Sequence, residues 1–181
     1  TYMILEQSAG LTDNEFIGRN EILNEINKQI DEGASAIVIK GVGGSGKTAL
    51  LRRVAATMKK KQFAFIDCDG QVVPETLLEQ IFRKAFKKGV EEAAKIYYDI
   101  RMPLGGKIQW FTEHYLQKEK VMILLDDFHL NLDNEGKFKN ERVKEFIIYL
   151  KDALNEKDSL MVLGTEADIP GFESVWLTPL E

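Results

Sequence analysis

The run Gly41-Val42-Gly43-Gly44-Ser45-Gly46-Lys47-Thr48 constrains this chain more than any other stretch. It fits the spacing G-x-x-x-x-G-K-[ST]. Before it stands Ala36–Lys40, a short apolar run rich in β-branched residues. After it, over residues 47–60, Leu50, Leu51, Val54 and Met58 recur at helical spacing. A strand, a glycine turn and a helix in that order make a phosphate cradle. The glycines let successive backbone N–H groups point inward, and the helix adds the positive end of its dipole. The Lys47 ammonium would reach the β- and γ-phosphates, and the Thr48 hydroxyl would ligate Mg²⁺. Residues 41–49, through the amide of Ala49, are therefore the expected phosphate loop.

Val121-Met122-Ile123-Leu124-Leu125-Asp126-Asp127 is an apolar strand ending in carboxylates. A phosphate loop with Mg²⁺ requires such a strand. Asp126 would hold the ion, directly or through water. Asp127 would orient or deprotonate an attacking water. Two turn aspartates behind a core strand would be the reading if the glycine loop were absent.

The rest of the chain alternates strand and helix. Helices are expected over residues 20–30, with Asn20 as N-cap, then 47–60, from Pro74 to a stop at Gly89, 91–100, 107–118 and 142–154. Strands are expected over 36–40, 63–68, 121–125, 160–163 and 174–177. Pro103, Gly105 and Gly106 are expected to break the chain, and residues 129–140 to form a polar loop. This pattern predicts a three-layer α/β fold with a parallel sheet and helices on both faces. Its central strands are apolar without alternation because both faces are buried.

The chain has 181 residues, which suits a single domain. Its 24 basic and 29 acidic residues give a net charge of -5, a poor match to nucleic acid as the main partner. The lone Cys68 allows no internal disulfide and fits a reducing, cytoplasmic compartment. No apolar run approaches the roughly 20 residues of a membrane helix, and no signal peptide is visible. The chain reads as a piece of something longer.

Phe16-Ile17-Gly18-Arg19, followed by Glu21 and Leu23, resembles the lead-in of AAA+ ATPases and of the STAND class, signalling NTPases that include NB-ARC and NACHT relatives. The resemblance implies that Phe16, Ile17 and Gly18 back an adenine, with Arg19 near the ribose or phosphates. An ordinary helix entry, with Ile17 packed and Arg19 solvated, is the other reading. Leu-Leu-Asp-Asp-Phe at 124–128 resembles the STAND form of the Mg²⁺ strand. Residues 160–165 resemble the strand that carries a γ-phosphate sensor, which would be Thr165. Residues 176–180 resemble the stretch leading into a helical lid and winged helix.

The family then implies a five-stranded parallel sheet of order 5-1-4-3-2, ATP or ADP with Mg²⁺, and slow hydrolysis by a molecular switch. It implies one RecA-like core, with a lead-in and first helix over 1–33 and the sheet core over 34–178. The lid, sensor and effector domains of the same chain would be partners, the active longer protein could be a homo-oligomer, and nucleic acid is not expected for this piece. A nucleotide-locked scaffold, and an AAA+ origin-recognition or clamp-loading ATPase acting on DNA, are the alternatives. Glu166 departs from the arginine that NB-ARC relatives place after the sensor threonine. Either Thr165 senses alone, another cation serves, or Glu166 is a surface residue.

Three further signals read as ordinary. Asp67-Cys68-Asp69-Gly70 matches a GTPase D-x-x-G, but no guanine-reading Asn-Lys-x-Asp follows. Arg83-Lys84 with Lys87-Lys88 reads as the wet face of a helix. His114 and His129 have no partners at metal-ligand spacing, although His129 is close enough to Asp127 to line the site.

Overall fold

The computed structural model describes residues 20–42, 46–57, 62–157 and 159–177. The lead-in Phe16, Ile17, Gly18 and Arg19, the loop residues Gly43, Gly44 and Ser45, and the stretch 178–181 lie outside the described residues.

Helix α1 (Asn20–Asp31) leads into β1 (Ala36–Lys40), α2 (Lys47–Thr57) and β2 (Gln62–Asp67). Then come α3 (Pro74–Ala85), α4 (Val90–Tyr97) and α5 (Leu104–Phe111), the last continued by a π-helical turn, Thr112–Leu116. Strand β3 (Val121–Asp126), a 3₁₀ turn (Phe128–Asn131), α6 (Glu141–Glu156), β4 (Leu160–Thr165) and β5 (Glu173–Trp176) complete the chain. The five strands form one parallel sheet in the order β2-β3-β4-β1-β5, as expected.

Period-two alternation within each strand feeds two cores. Val38, Ile66, Ile123, Leu125 and Leu163 face α3, α4, α5 and α6. Ile37, Ile39, Met122, Leu124 and Val162 face α1 and α2. Every residue of β3 and β4 is buried. The result is three layers, with β3, β4 and β1 inside the sheet and β2 and β5 at its edges.

Several local expectations need correction. Asn20 is the first helical residue of α1, not a residue outside it. Gly89 does not stop α3; that helix ends at Ala85, and Gly89 caps α4 in the left-handed region. Gly105 and Gly106 lie inside α5 rather than breaking the chain. Pro103, extended at the N-cap, starts the helix at Leu104. A Cβ at Gly105 would lie 3.7 Å from the Tyr149 ring, an ordinary van der Waals contact, so this glycine sits against α6 without being required there. The loop 129–140 is partly ordered by the 3₁₀ turn and by a Leu132–Phe138 bridge, with Asn131 and Leu132 buried.

Candidate functional site

The C-terminal ends of β1, β3 and β4, with the start of α2, carry the described residues singled out by sequence. After β1, the Gly41 N–H donates to the Thr165 carbonyl at 3.0 Å, tying the loop to β4. Gly46, at φ 91°, turns the chain into α2. The Lys47 side chain is buried, not exposed as a free phosphate-binding ammonium would be. It donates to the Gly41 carbonyl and, at 3.1 Å, to that of Val42, so it folds back on its own loop. The Ala49 methyl is in the core, which leaves only its backbone for a ligand.

Asp126, the last residue of β3, is buried. The Thr48 hydroxyl donates to its Oδ2 at 2.5 Å, and its Oδ1 accepts the Asp127 N–H at 3.0 Å. These hydroxyl and carboxylate oxygens are hard donors brought to one point, and they fit Mg²⁺ with phosphate oxygens and water completing the shell. Among the described residues no group of three or more His, Cys, Asp or Glu could hold a metal ion by itself.

Asp127 sits in the left-handed region at φ 55°, which turns its side chain off the strand line. Its carboxyl is pushed up to about 6, first by burial, then by the Asp126 charge and by a hydrogen bond and charge from Asp67, with His129 opposing. Asp67 ends β2 in register with Asp126. Sequence reasoning took it only as part of a GTPase decoy; its place at the end of an edge strand was the missed signal. Gly164 was also missed. A Cβ there would meet Asp126 Oδ1 at 3.0 Å and Leu51 Cδ1 at 3.2 Å.

Thr165 is buried, and its hydroxyl donates to the Ala167 carbonyl at 2.5 Å. Glu166 is exposed, with Oε1 3.9 Å from His129 Nε2. A cleft of about 410 Å³ runs from Thr48, Asp126 and Asp127 past Asp67 to Arg52 and Lys84. Lys84 donates to the Phe65 carbonyl at 2.7 Å, and the Arg52 guanidinium lies 4.4 Å from the Phe65 ring centre.

A family profile described as an AAA domain matches residues 29–167. No curated protein matched the chain. Among solved structures, the Drosophila origin recognition complex (ORC) bound to DNA superposes with a TM-score of 0.60 at 12% identity, over 100% of this chain and 47% of that one. The ORC2 protein of Aeropyrum pernix, in ADPNP–ADP complexes, gives 0.53 at 19%, over 89% and 47%. The Walker-type ATPase of Pyrococcus abyssi gives 0.56 at 13%, over 90% and 54%. The chain thus spans about half the length of these solved chains. The expectation that nucleic acid is not a partner is overturned by these likenesses, since one such fold is seen bound to DNA. A domain's net charge does not exclude such a partner, because contacts depend on where charges sit and not on their sum. Among the described residues no helix is long and apolar enough to cross a membrane.

Proposed function

The chain belongs to the AAA domain family, and from that premise we propose that it is an ATP-binding, slowly hydrolysing ATPase core. The observation that carries this reading is the Thr48–Asp126 contact, which joins the start of α2 to the end of β3. In this reading the loop amides of residues 41–49 and the Lys47 ammonium hold the phosphates. Lys47 must first leave the Gly41 and Val42 carbonyls. Thr48 and Asp126 hold Mg²⁺, which when bound neutralises charge on the transferring phosphoryl group. Asp127 takes the proton of the attacking water. Phe16, Ile17, Gly18 and Arg19 back the adenine and ribose, and Thr165 lies beside the γ-phosphate. Residues 1–181 act as one core.

Calorimetry with Mg-ATP and ADP, together with single-turnover hydrolysis, tests this. Lys47→Ala should abolish binding in a folded protein. Losing Asp126 should weaken the Mg²⁺ dependence of binding. Asp127→Asn should spare binding and slow turnover. Unchanged affinity in Lys47→Ala would overturn the loop assignment, and equal hydrolysis by wild type and Asp127→Asn would remove Asp127 from the chemistry.

A second reading concerns the class. The likeness to a DNA-bound origin recognition complex supports an initiator-like ATPase working with DNA over a signalling STAND switch. Binding to DNA that weakens steeply with salt would support it. Absence of such binding by the full-length protein would return weight to the signalling class.

A further inference from the structure

At the opposite end of the sheet from the phosphate loop lies a groove of about 300 Å³, lined by Phe86, Lys88, His114, Tyr115, Lys118 and Glu119. Strands β2 and β3 begin near it, paired at Gln62 and Val121, and end at Asp67 and Asp126. Five steps of about 3.3 Å make these strands roughly 17 Å long between the two ends.

Lys87 and Lys88 fall beyond the end of α3, so they are not its wet face. Lys87 holds the left-handed conformation, φ 61°, with its N–H 3.3 Å from the Phe82 carbonyl. That helix-ending position favours glycine, because a Cβ costs about 1 kcal/mol or more there. Here a lysine occupies it. Lys87, Lys88 and Lys118 are all exposed. No side-chain ion pair engages any of them among the described residues. The acidic neighbours are Glu119, in the groove wall, and Glu92, near Tyr115 and Gly89.

The other wall is aromatic. The exposed His114 ring lies on half-buried Trp110, with centroids 4.8 Å apart and planes 22° from parallel. Its Nδ1 lies 2.9 Å from the Trp110 carbonyl, which fixes the ring's direction. Tyr115 packs beside Trp110 at 5.7 Å. The π-helical turn makes this grouping by carrying His114, Tyr115 and Leu116 on a widened helix end.

Unpaired cations beside a ready-made stack are the parts that hold a nucleic-acid strand: charges for phosphates, ring faces for bases. We infer that this groove binds single-stranded nucleic acid, with Lys88 and Lys118 of its lining on the backbone, Lys87 beside them at the end of α3, and a base stacked against His114. The inference rests on the DNA-linked reading above, but not on the ATP site.

The test is fluorescence anisotropy of a labelled 20-nucleotide oligo(dT) with the full 181-residue chain, over a salt series. Lys88→Glu/Lys118→Glu should weaken binding at least tenfold and make the log–log salt slope shallower by about 1.4, at roughly 0.7 per phosphate contact. His114→Ala should weaken binding about fivefold with the slope unchanged, as loss of stacking predicts. Mg-ATP affinity should stay as in wild type in both variants. No oligo(dT) binding by the wild type, or equal binding by the double variant, overturns the groove. So does equal competition by an oligo-glutamate peptide, which would mark an acidic protein as partner. If duplex DNA binds and is indifferent to the charge reversal, the DNA-linked reading survives and this groove alone is lost.

Discussion

Gly164 sets how closely β4 approaches the end of β3. A methyl group there would press on Asp126 Oδ1, which can give only toward the cleft, and on Leu51, which is held in a buried layer. Gly164→Ala is expected to cost about 1–3 kcal/mol of stability, as small overpacking does. It should also turn Asp126 away from Thr48 and weaken Mg²⁺-dependent nucleotide binding. Denaturant midpoints and calorimetry would check both, and an Ala variant with wild-type Mg²⁺ dependence would sink the argument. A second residue-scale prediction concerns Asp67. The Asp127 carboxyl stands at about 6 rather than 3.8, with burial the first cause and the two neighbouring carboxylates next. Below pH 3.8 it is protonated in folded and unfolded chains alike. Between about 4 and 6 the unfolded chain ionises it and the folded one resists, so metal-free stability falls as pH rises through that window. Asp67→Asn removes one repelling charge. It should flatten the fall and raise stability at pH 7 by about 1 kcal/mol. Urea midpoints at pH 4 and pH 7 would decide it, and identical pH dependence in the two proteins would rule out the coupling.

The elements meet at Glu75, in the first turn of α3. Its carboxylate accepts from Lys107 of α5 at 3.2 Å and from both terminal guanidinium nitrogens, Nη1 and Nη2, of Arg142 in α6. Burial alone would raise its carboxyl, but hydrogen bonds from Arg142, its own backbone and Lys107 outweigh that and hold it at about 2. The Lys107 side chain is only 4% exposed. Glu75→Gln would leave that ammonium buried without a counter-charge, an imbalance that costs about 3–5 kcal/mol. In the wild type this stabilisation is complete above pH 4.5 and is lost as pH falls toward 2, the opposite sense to Asp127 and in a lower window. Thermal unfolding of both proteins at pH 5 and pH 2 should show a gap that narrows at the lower pH; a constant gap would count against the linkage. No periodicity marks this triad, because its members are 32 and 67 residues apart in sequence. The sheet was legible for the converse reason. Strands such as residues 121–126 are apolar on both faces and bounded by turn chemistry, so composition alone places them inside. The glycine pair of α5 was misread because glycine signals a break locally, whereas here Pro103 at the N-cap starts a helix that carries both glycines. In the candidate site, Lys47, Thr48, Asp126 and Asp127 stood out through spacing. Asp67 and Gly164 did not, since each matters only through a neighbour on another strand.

At the scale of the whole molecule, the parallel sheet gathers every described candidate residue at one end and leaves the other end to the basic groove. The Lys47 ammonium and the Thr48 hydroxyl are occupied by groups of the same chain, Lys47 by loop carbonyls and Thr48 by Asp126. A nucleotide must exchange these contacts for its own, and whatever net free energy remains stabilises the entire fold, because β1, β3, β4 and α2 share one core. At a hundredfold excess over its dissociation constant, a ligand that binds only the folded chain adds about 2.7 kcal/mol. For a domain of this size that corresponds to a rise in Tm of roughly 5–11 °C. We expect Mg-ATP to raise the Tm of the 181-residue chain by this amount and ATP with a chelator to raise it far less, because Asp126 is then left facing phosphate without an intervening cation. Lys47→Ala should show no rise at any nucleotide concentration, while Lys88→Glu/Lys118→Glu should respond as wild type does. A rise that persists in Lys47→Ala would place the nucleotide somewhere other than the 41–48 loop. Equal shifts with and without Mg²⁺ would separate Thr48 and Asp126 from the ion they are proposed to hold.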